Sequence, residues 1–150
     1  MKKWWIVLAA VAISTGAFAA EGWITDFEKA KATAKEQSKP IIIDFSGSDW
    51  CGWCIKLDKE VFQKQAFKDY AKDHFVLMLA DFPSDKSKQS PEVIKQNEKL
   101  AKEFGVRGFP TVFVLAADGS IIGKTGYQAG GPEAYLMHIK KIIADGKAKK

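Results

Sequence analysis

Two cysteines stand three residues apart in the stretch DFSGSDWCGWCIKLDKEVF, Asp44 to Phe62, and the 150-residue chain has no others. Helical periodicity begins at Gly52, so Cys51 falls at a loop–helix junction. There its sulfur would lie beside the first free amides of the helix, which with the helix dipole favour an anion. Thiols so placed titrate at roughly 3.5 to 7.5, against about 8.5 for a free thiol, and the thiolate is the nucleophile. Cys54 follows one helical turn later on the same face. It can attack a mixed disulfide formed at Cys51 and release the partner, which makes Cys51 the exposed attacker and Cys54 the shielded resolver.

Two other readings compete. Tetrahedral zinc needs four ligands; no third cysteine exists, and the two histidines, His74 and His138, fall alone on separate predicted helices. An inert staple would close a loop of only a few residues, at the weak end of the length dependence. Exported domains that use disulfides for strength usually carry several.

The elements that must hold this pair alternate. Thr25 to Glu28 has the form of a capping box, and a helix is predicted from about Asp26 to Gln37, stopped before Pro40. IIIDF, Ile41–Phe45, reads as a strand buried on both faces. SGSDW is a loop, and the helix from Gly52 carries Ile55, Leu57, Val61 and Phe62. A further helix covers about Lys64 to Asp73, and FVLMLADF, Phe75–Phe82, is a second buried strand. Pro83 to Glu92 is a polar surface loop. Ser90-Pro91 opens a helix as cap and first position, which Gly105 ends. Thr111–Ala117 and Ser120–Tyr127 form a hairpin about Asp118-Gly119. A last helix starts at Gly130-Gly131-Pro132 and closes at Gly146. Strands separated by helices, then a hairpin, predict an α/β fold with a mixed central sheet flanked by helices on both faces.

Lys2 and Lys3, an uncharged run from Trp4 to Ala20 and the small residues Ala17 and Ala19 have the three-part layout of a signal peptide. The run of 17 residues falls short of the roughly 20 that a spanning helix needs. The expectation is a leader over residues 1–19, a single domain over 20–150 and a periplasmic or secreted destination, where a disulfide can persist. Cleavage takes two lysines and lowers the net charge from +5 to +3. No basic stripe with interleaved aromatics is present, so nucleic-acid binding has no support. One core accounts for the apolar helix faces, so a monomer is expected.

IIIDFSGSDWCGWC followed by LAKEFGVRGFPTVFVLAADGSIIGKTGY resembles the thioredoxin fold over nearly the whole mature chain. Two separated motifs carry the likeness: Trp50-Cys51-Gly52-Trp53-Cys54 after a buried strand, and Gly108-Phe109-Pro110-Thr111 before the third. Within that superfamily, Trp53, KLDKEVF and the Pro83–Glu92 insertion look most like the exported, disulfide-isomerase-like oxidoreductases. The resemblance implies a cis Phe109-Pro110 bond, a proline loop beside the sulfurs, main-chain groups of Phe109 that pair with an extended substrate, and a Pro110 ring that keeps metals off the thiols. It implies protein disulfides as substrates, no cofactor beyond the cysteine pair, and a membrane or periplasmic thiol carrier as redox partner. Trp50, Gly52 and Trp53 would form the rim that receives polypeptide; plain packing of Trp50 on the sheet is the alternative.

Asp44 matches the family's buried acid that moves a proton to or from the second cysteine, and a carboxyl in an apolar strand should have a raised pKa. The sequence departs from the family here. The segment to Cys51 is one residue longer, and Leu77 or a neighbour replaces the lysine that partners that acid. Asp44 could instead be a strand-end acid bonded to loop amides, and Asp49 is the runner-up shuttle. Trp53 stands where thioredoxin has proline and eukaryotic isomerases have histidine, which favours a reducing or isomerising centre. A disulfide-donating oxidase of the same fold remains the first rival, and a non-catalytic chaperone or peptide-binding module the second.

Overall fold

A computed structural model describes residues 21–149; the expected leader lies outside them. The described chain opens with β1 (Trp23–Ile24), a strand that the sequence does not announce because two residues carry no periodicity. Helix α1 (Phe27–Gln37) follows. Its cap is Asp26, which accepts from the Lys29 amide at 2.8 Å, and not Thr25 as the capping-box pattern suggests. The helix ends at Ser38 in the left-handed conformation, ahead of Pro40.

β2 (Ile41–Ser46) is buried at every position. Gly52–Leu57 forms α2, and the chain continues without a break into a π-helical turn, Asp58–Phe62. Such turns interrupt helices mostly as single bulges, frequently at functional sites. Then come α3 (Gln65–His74), β3 (Val76–Asp81), a single 3-10 turn over Lys86–Lys88 within the predicted loop, and α4 (Pro91–Glu103) capped by Ser90. β4 (Thr111–Leu115), β5 (Ile121–Thr125) and α5 (Gly131–Ala148) complete the fold. Helix α5 runs past Gly146, which does not close it. That glycine lies where a Cβ would collide with Ile122 of β5, so it serves close packing within the helix.

The sheet order is β1-β3-β2-β4-β5. β2 is parallel to β3 and antiparallel to β4, so the mixed sheet has the predicted form. Side chains alternate across β2. Ile41, Ile43 and Phe45 pack with Ala30 and Ala34 of α1 and Leu100 of α4. Ile42 packs on the other side with Leu57 of α2, Val61, Phe67 of α3 and Tyr135 of α5. Truncating Leu57, fully buried beneath the cysteine helix, to alanine would cost about 2–5 kcal/mol.

Candidate active site

The end of β2 delivers the chain into the turn Gly47–Trp50, where the Cys51 amide donates to the Gly47 carbonyl at 2.8 Å. Cys51 is extended and caps α2, its sulfur accepting from the Cys54 amide at 3.3 Å. The Gly47 amide donates to the Cys54 sulfur at 3.5 Å. Cys51 and Cys54 are joined as a disulfide, with Cα atoms 5.2 Å apart. Cys51 is 8% exposed and Cys54 3%, so the first cysteine is the one nearer solvent, though by a small margin.

Asp44 lies on β2 with its side chain on the Ile42 side, the face that α2 covers. It is 5% exposed, and its Oδ1 has no hydrogen-bond partner. The loop amides that could have satisfied it go elsewhere, that of Gly47 to Cys54 and that of Ser48 to Asp81 at 2.9 Å. Across β2, Asp44 faces Leu79 on β3 and Val112 on β4, while Leu77 stands opposite Ile42. These strand neighbours are all apolar and bring no cation to the charge. Burial, reinforced by the nearby carboxylates of Asp58 and Asp81, pushes the Asp44 pKa up to about 8. Asp58, on the π-helical turn, is half-buried and is itself raised by that burial, and its carboxylate accepts from the Gln63 amide group.

Asp49 is a different kind of residue. Its carboxylate accepts from the Ser84 amide and the Ser84 hydroxyl, each at 2.9 Å, and lies 3.6 Å from the Lys88 ammonium. Those donors, led by the Ser84 amide, hold it below the usual carboxylate range. A carboxylate so occupied is a tether, and the runner-up reading of Asp49 as proton shuttle does not suit it.

The Phe109-Pro110 bond is cis. Thr111 returns its hydroxyl to the Gly108 carbonyl at 2.7 Å, and Gly126 passes the Pro110 carbonyl so closely that a Cβ would come within 3.2 Å of it. Phe109 ties this loop to the cysteine loop, its ring edge-on to Trp50 at 5.9 Å and tilted on Phe82 at 5.1 Å. Trp50 is 53% exposed. Its indole donates to the Phe82 carbonyl at 2.7 Å and covers Gly47, where a Cβ would meet the ring at 2.5–2.8 Å. Trp53 is 58% exposed. Its ring meets Tyr127 at 5.1 Å, and the Lys56 ammonium lies over both rings, 5.1 and 5.2 Å from their centroids. The Tyr127 hydroxyl donates to Glu60 at 2.5 Å. Gly52, the first residue of α2, is exposed, and a Cβ there would meet nothing.

The structure thus brings Cys51, Cys54, Trp50, Trp53, Phe109 and Pro110 to one end of the sheet. His74 and His138 stay apart from this cluster. His74 bonds the Tyr70 carbonyl at 2.8 Å and stacks on its ring, and His138 bonds the Thr125 hydroxyl at 2.8 Å. Sequence reasoning missed Phe82, Tyr127, Lys56 and Glu60. Glu60 sits at i+4 from Lys56, a readable pairing, but nothing in the sequence links either to Tyr127.

A thioredoxin-like domain model matches residues 27–142. The "Disulfide bond reductase DsbH" of Chlamydia pneumoniae is 34% identical over 117 residues, spanning 78% of this chain and 70% of that protein. A solved structure described as "DsbH Oxidoreductase" superposes with a TM-score of 0.78 at 33% identity, covering 85% of this chain and 88% of the other. A thioredoxin from Thermus thermophilus shares the fold, with a TM-score of 0.59 at 18% identity over 81% and 87% of the two chains. With a family match over most of its length and a disulfide-linked Cys-x-x-Cys pair where the chain from β2 enters α2, the chain belongs to the thioredoxin-like domain family and is a thiol–disulfide oxidoreductase.

Proposed function

We propose that this oxidoreductase reduces or isomerises disulfides in exported proteins, with Cys51 as attacker, Cys54 as resolver and Asp44 as proton acceptor. The observation that carries the reading is the pairing of a helix-capping Cys51 with a buried, unpartnered carboxyl on the face beneath α2. The relative named a disulfide bond reductase supports the reducing direction.

In the reduced enzyme, the Cys54 amide and the helix N-terminus stabilise a Cys51 thiolate. That thiolate attacks one sulfur of a substrate disulfide. The second substrate sulfur leaves as a thiolate and takes a proton from water. Cys54 then loses its proton to the Asp44 carboxylate, and the new thiolate attacks the Cys51 sulfur of the mixed disulfide. The Cys51–Cys54 bond forms, the departing substrate thiolate takes up the proton that Cys54 gave to Asp44, and the substrate leaves with two thiols. Two electrons have passed from the enzyme to the substrate, and a thiol carrier returns them. No cofactor takes part. Trp50 and Phe109 supply the apolar wall for an extended chain, with Gly52 and Trp53 across the thiols, and the main chain of Phe109 offers its hydrogen bonds. The Pro110 ring shields the sulfurs. Residues 20–150 act in a periplasm or outside the cell, after removal of 1–19.

The reduction potential of the Cys51–Cys54 couple, equilibrated with glutathione buffers, tests this. A value near roughly −270 mV fits a reductase, whereas one near roughly −120 mV would reverse the electron flow and make the protein a disulfide donor. A Cys51→Ser variant that still repaired a misfolded disulfide protein would replace the enzyme reading with a binding module.

A further inference from the structure

The Pro83–Glu92 insertion and Asp49 have no part in the chemistry above, yet the structure joins them at the site. The segment that follows β3 runs alongside the turn between β2 and Cys51 and is bonded to it residue by residue. The Phe82 amide donates to the Ser46 carbonyl at 2.7 Å. Ser48 gives both its amide, at 2.9 Å, and its hydroxyl, at 2.6 Å, to Asp81. The Trp50 indole donates to the Phe82 carbonyl. Ser84 gives amide and hydroxyl to Asp49. Behind it, Gln89 and Asn97 donate to the Asp81 carbonyl at 3.2 and 3.0 Å, and Asn97 is buried on α4. The insertion is therefore anchored to the fold at its base and to the active-site turn along its side.

Phe82 is the point of leverage. Its carbonyl holds Trp50 and its ring holds Phe109, so the placement of this segment sets the position of both aromatic groups flanking the disulfide on that side. Asp49 and Ser84 close the lacing immediately beyond, Asp49 beside Trp50 in the chain and Ser84 two residues after Phe82.

We propose that Asp49 is a positioning residue: through Ser84 it locks the segment after β3 to the active-site turn, and so fixes the Trp50–Phe109 wall against which a protein substrate lies. The inference rests on the thiol–disulfide reading. The lock acts on how a polypeptide is received and not on sulfur exchange itself, because neither Asp49 nor Ser84 contacts a sulfur through any bond described above. An indole held at one orientation presents a preformed surface, while a loose one must be ordered by each incoming chain, which weakens binding.

Steady-state reduction of insulin by the full protein, with dithiothreitol as electron source, tests this alongside the exchange rate of the Trp50 indole N–H by NMR. Asp49→Ala should raise KM for insulin by up to about tenfold, the upper end of what ordering one loosened side chain on binding costs, while lowering kcat by less than about twofold. Ser84→Ala should move KM the same way, and the double variant should be no worse than Asp49→Ala, since both remove one interaction. Asp49→Asn keeps an acceptor for the Ser84 amide and should recover most of the loss. The Trp50 indole N–H should exchange faster in Asp49→Ala. Should Asp49→Ala not fold, Ser84→Ala carries the test. An unchanged KM with unchanged indole exchange would overturn the proposal, as would additive losses in the double variant. If wild-type protein fails to reduce insulin, the functional reading falls instead, and indole exchange alone then decides the lock.

Discussion

Asp44 on β2 and Asp49 in the turn that follows it lie five residues apart, and the molecule treats their charges in opposite ways. Asp44 sits under α2 with no donor to its Oδ1 and two carboxylates for neighbours, and its pKa rises to about 8. Asp49 takes an amide, a hydroxyl and an ammonium, and its pKa falls. Closeness to the cysteines along the chain does not separate them. What separates them is whether the protein supplies donors in place of the water it removes. A carboxyl without donors is poised to exchange a proton near neutral pH; one saturated with donors holds structure.

The largest effect that can break this contrast is on stability. Native Asp44 keeps its proton to about pH 8, whereas the ordinary value for an aspartate carboxyl is 3.8. Across that window the native state binds the extra proton, so stability falls as pH rises. Each tenfold difference in proton affinity between the native and unfolded states is about 1.4 kcal/mol, so Asp44→Asn should stabilise the oxidised protein near neutral pH by up to about 4 kcal/mol. The gain should vanish below about pH 4. Urea unfolding of both proteins across this range measures it, and a gain independent of pH would mean that Asp44 is ionised in the native state.

The next effect is kinetic and opposite in sign. Losing the proton acceptor should slow release of the mixed disulfide by about a hundredfold at neutral pH, the usual scale for general base catalysis. Rapid mixing of the reduced Asp44→Asn protein with a fluorescent peptide disulfide reads that step. A rate unchanged from wild type would leave Asp44 as a structural acid only.

A smaller shift tests the neighbours. Asp58→Asn removes a like charge, so the pH midpoint of the same resolving step should move to lower pH, because ionising Asp44 then costs less. A midpoint that stays in place would show that Asp58 has no part in raising the acid and would leave burial and Asp81 as its causes. The smallest effect belongs to Lys88, whose ion pair with Asp49 spans 3.6 Å in an exposed setting. Lys88→Ala should change KM for insulin by less than about twofold, because such pairs contribute little. A larger change would transfer the locking role from Ser84 to the ion pair.

Much of this was legible in the residues. The cysteine spacing, the buried IIIDF strand and Gly-Phe-Pro-Thr carried the fold and the redox pair, because each is a local pattern with one strong structural solution. The cap of α1 lies one residue beyond the one the capping-box pattern indicates, since Thr25 and Asp26 are both good caps and only the geometry chooses. Gly146 read as a stop because a glycine kept for a close approach looks the same in sequence as one kept for a turn. The environments of Asp44 and Asp49 were unreadable for another reason. Both depend on which segments lie beside the turn, and the partner, Ser84, is 35 residues away. Tyr127 beside Trp53 is a still longer-range meeting, set by how β5 and α2 reach the same end of the sheet.

The antiparallel setting of β4 has a practical consequence. Thr111 pairs with Phe45 near the disulfide, whereas Leu115 pairs with Ile41 at the opposite end of β2. The Asp118-Gly119 hairpin tip therefore projects from the end remote from the sulfurs. A short fluorescent-label loop or affinity handle spliced there would report on the enzyme, or immobilise it, with its reactive end facing outward.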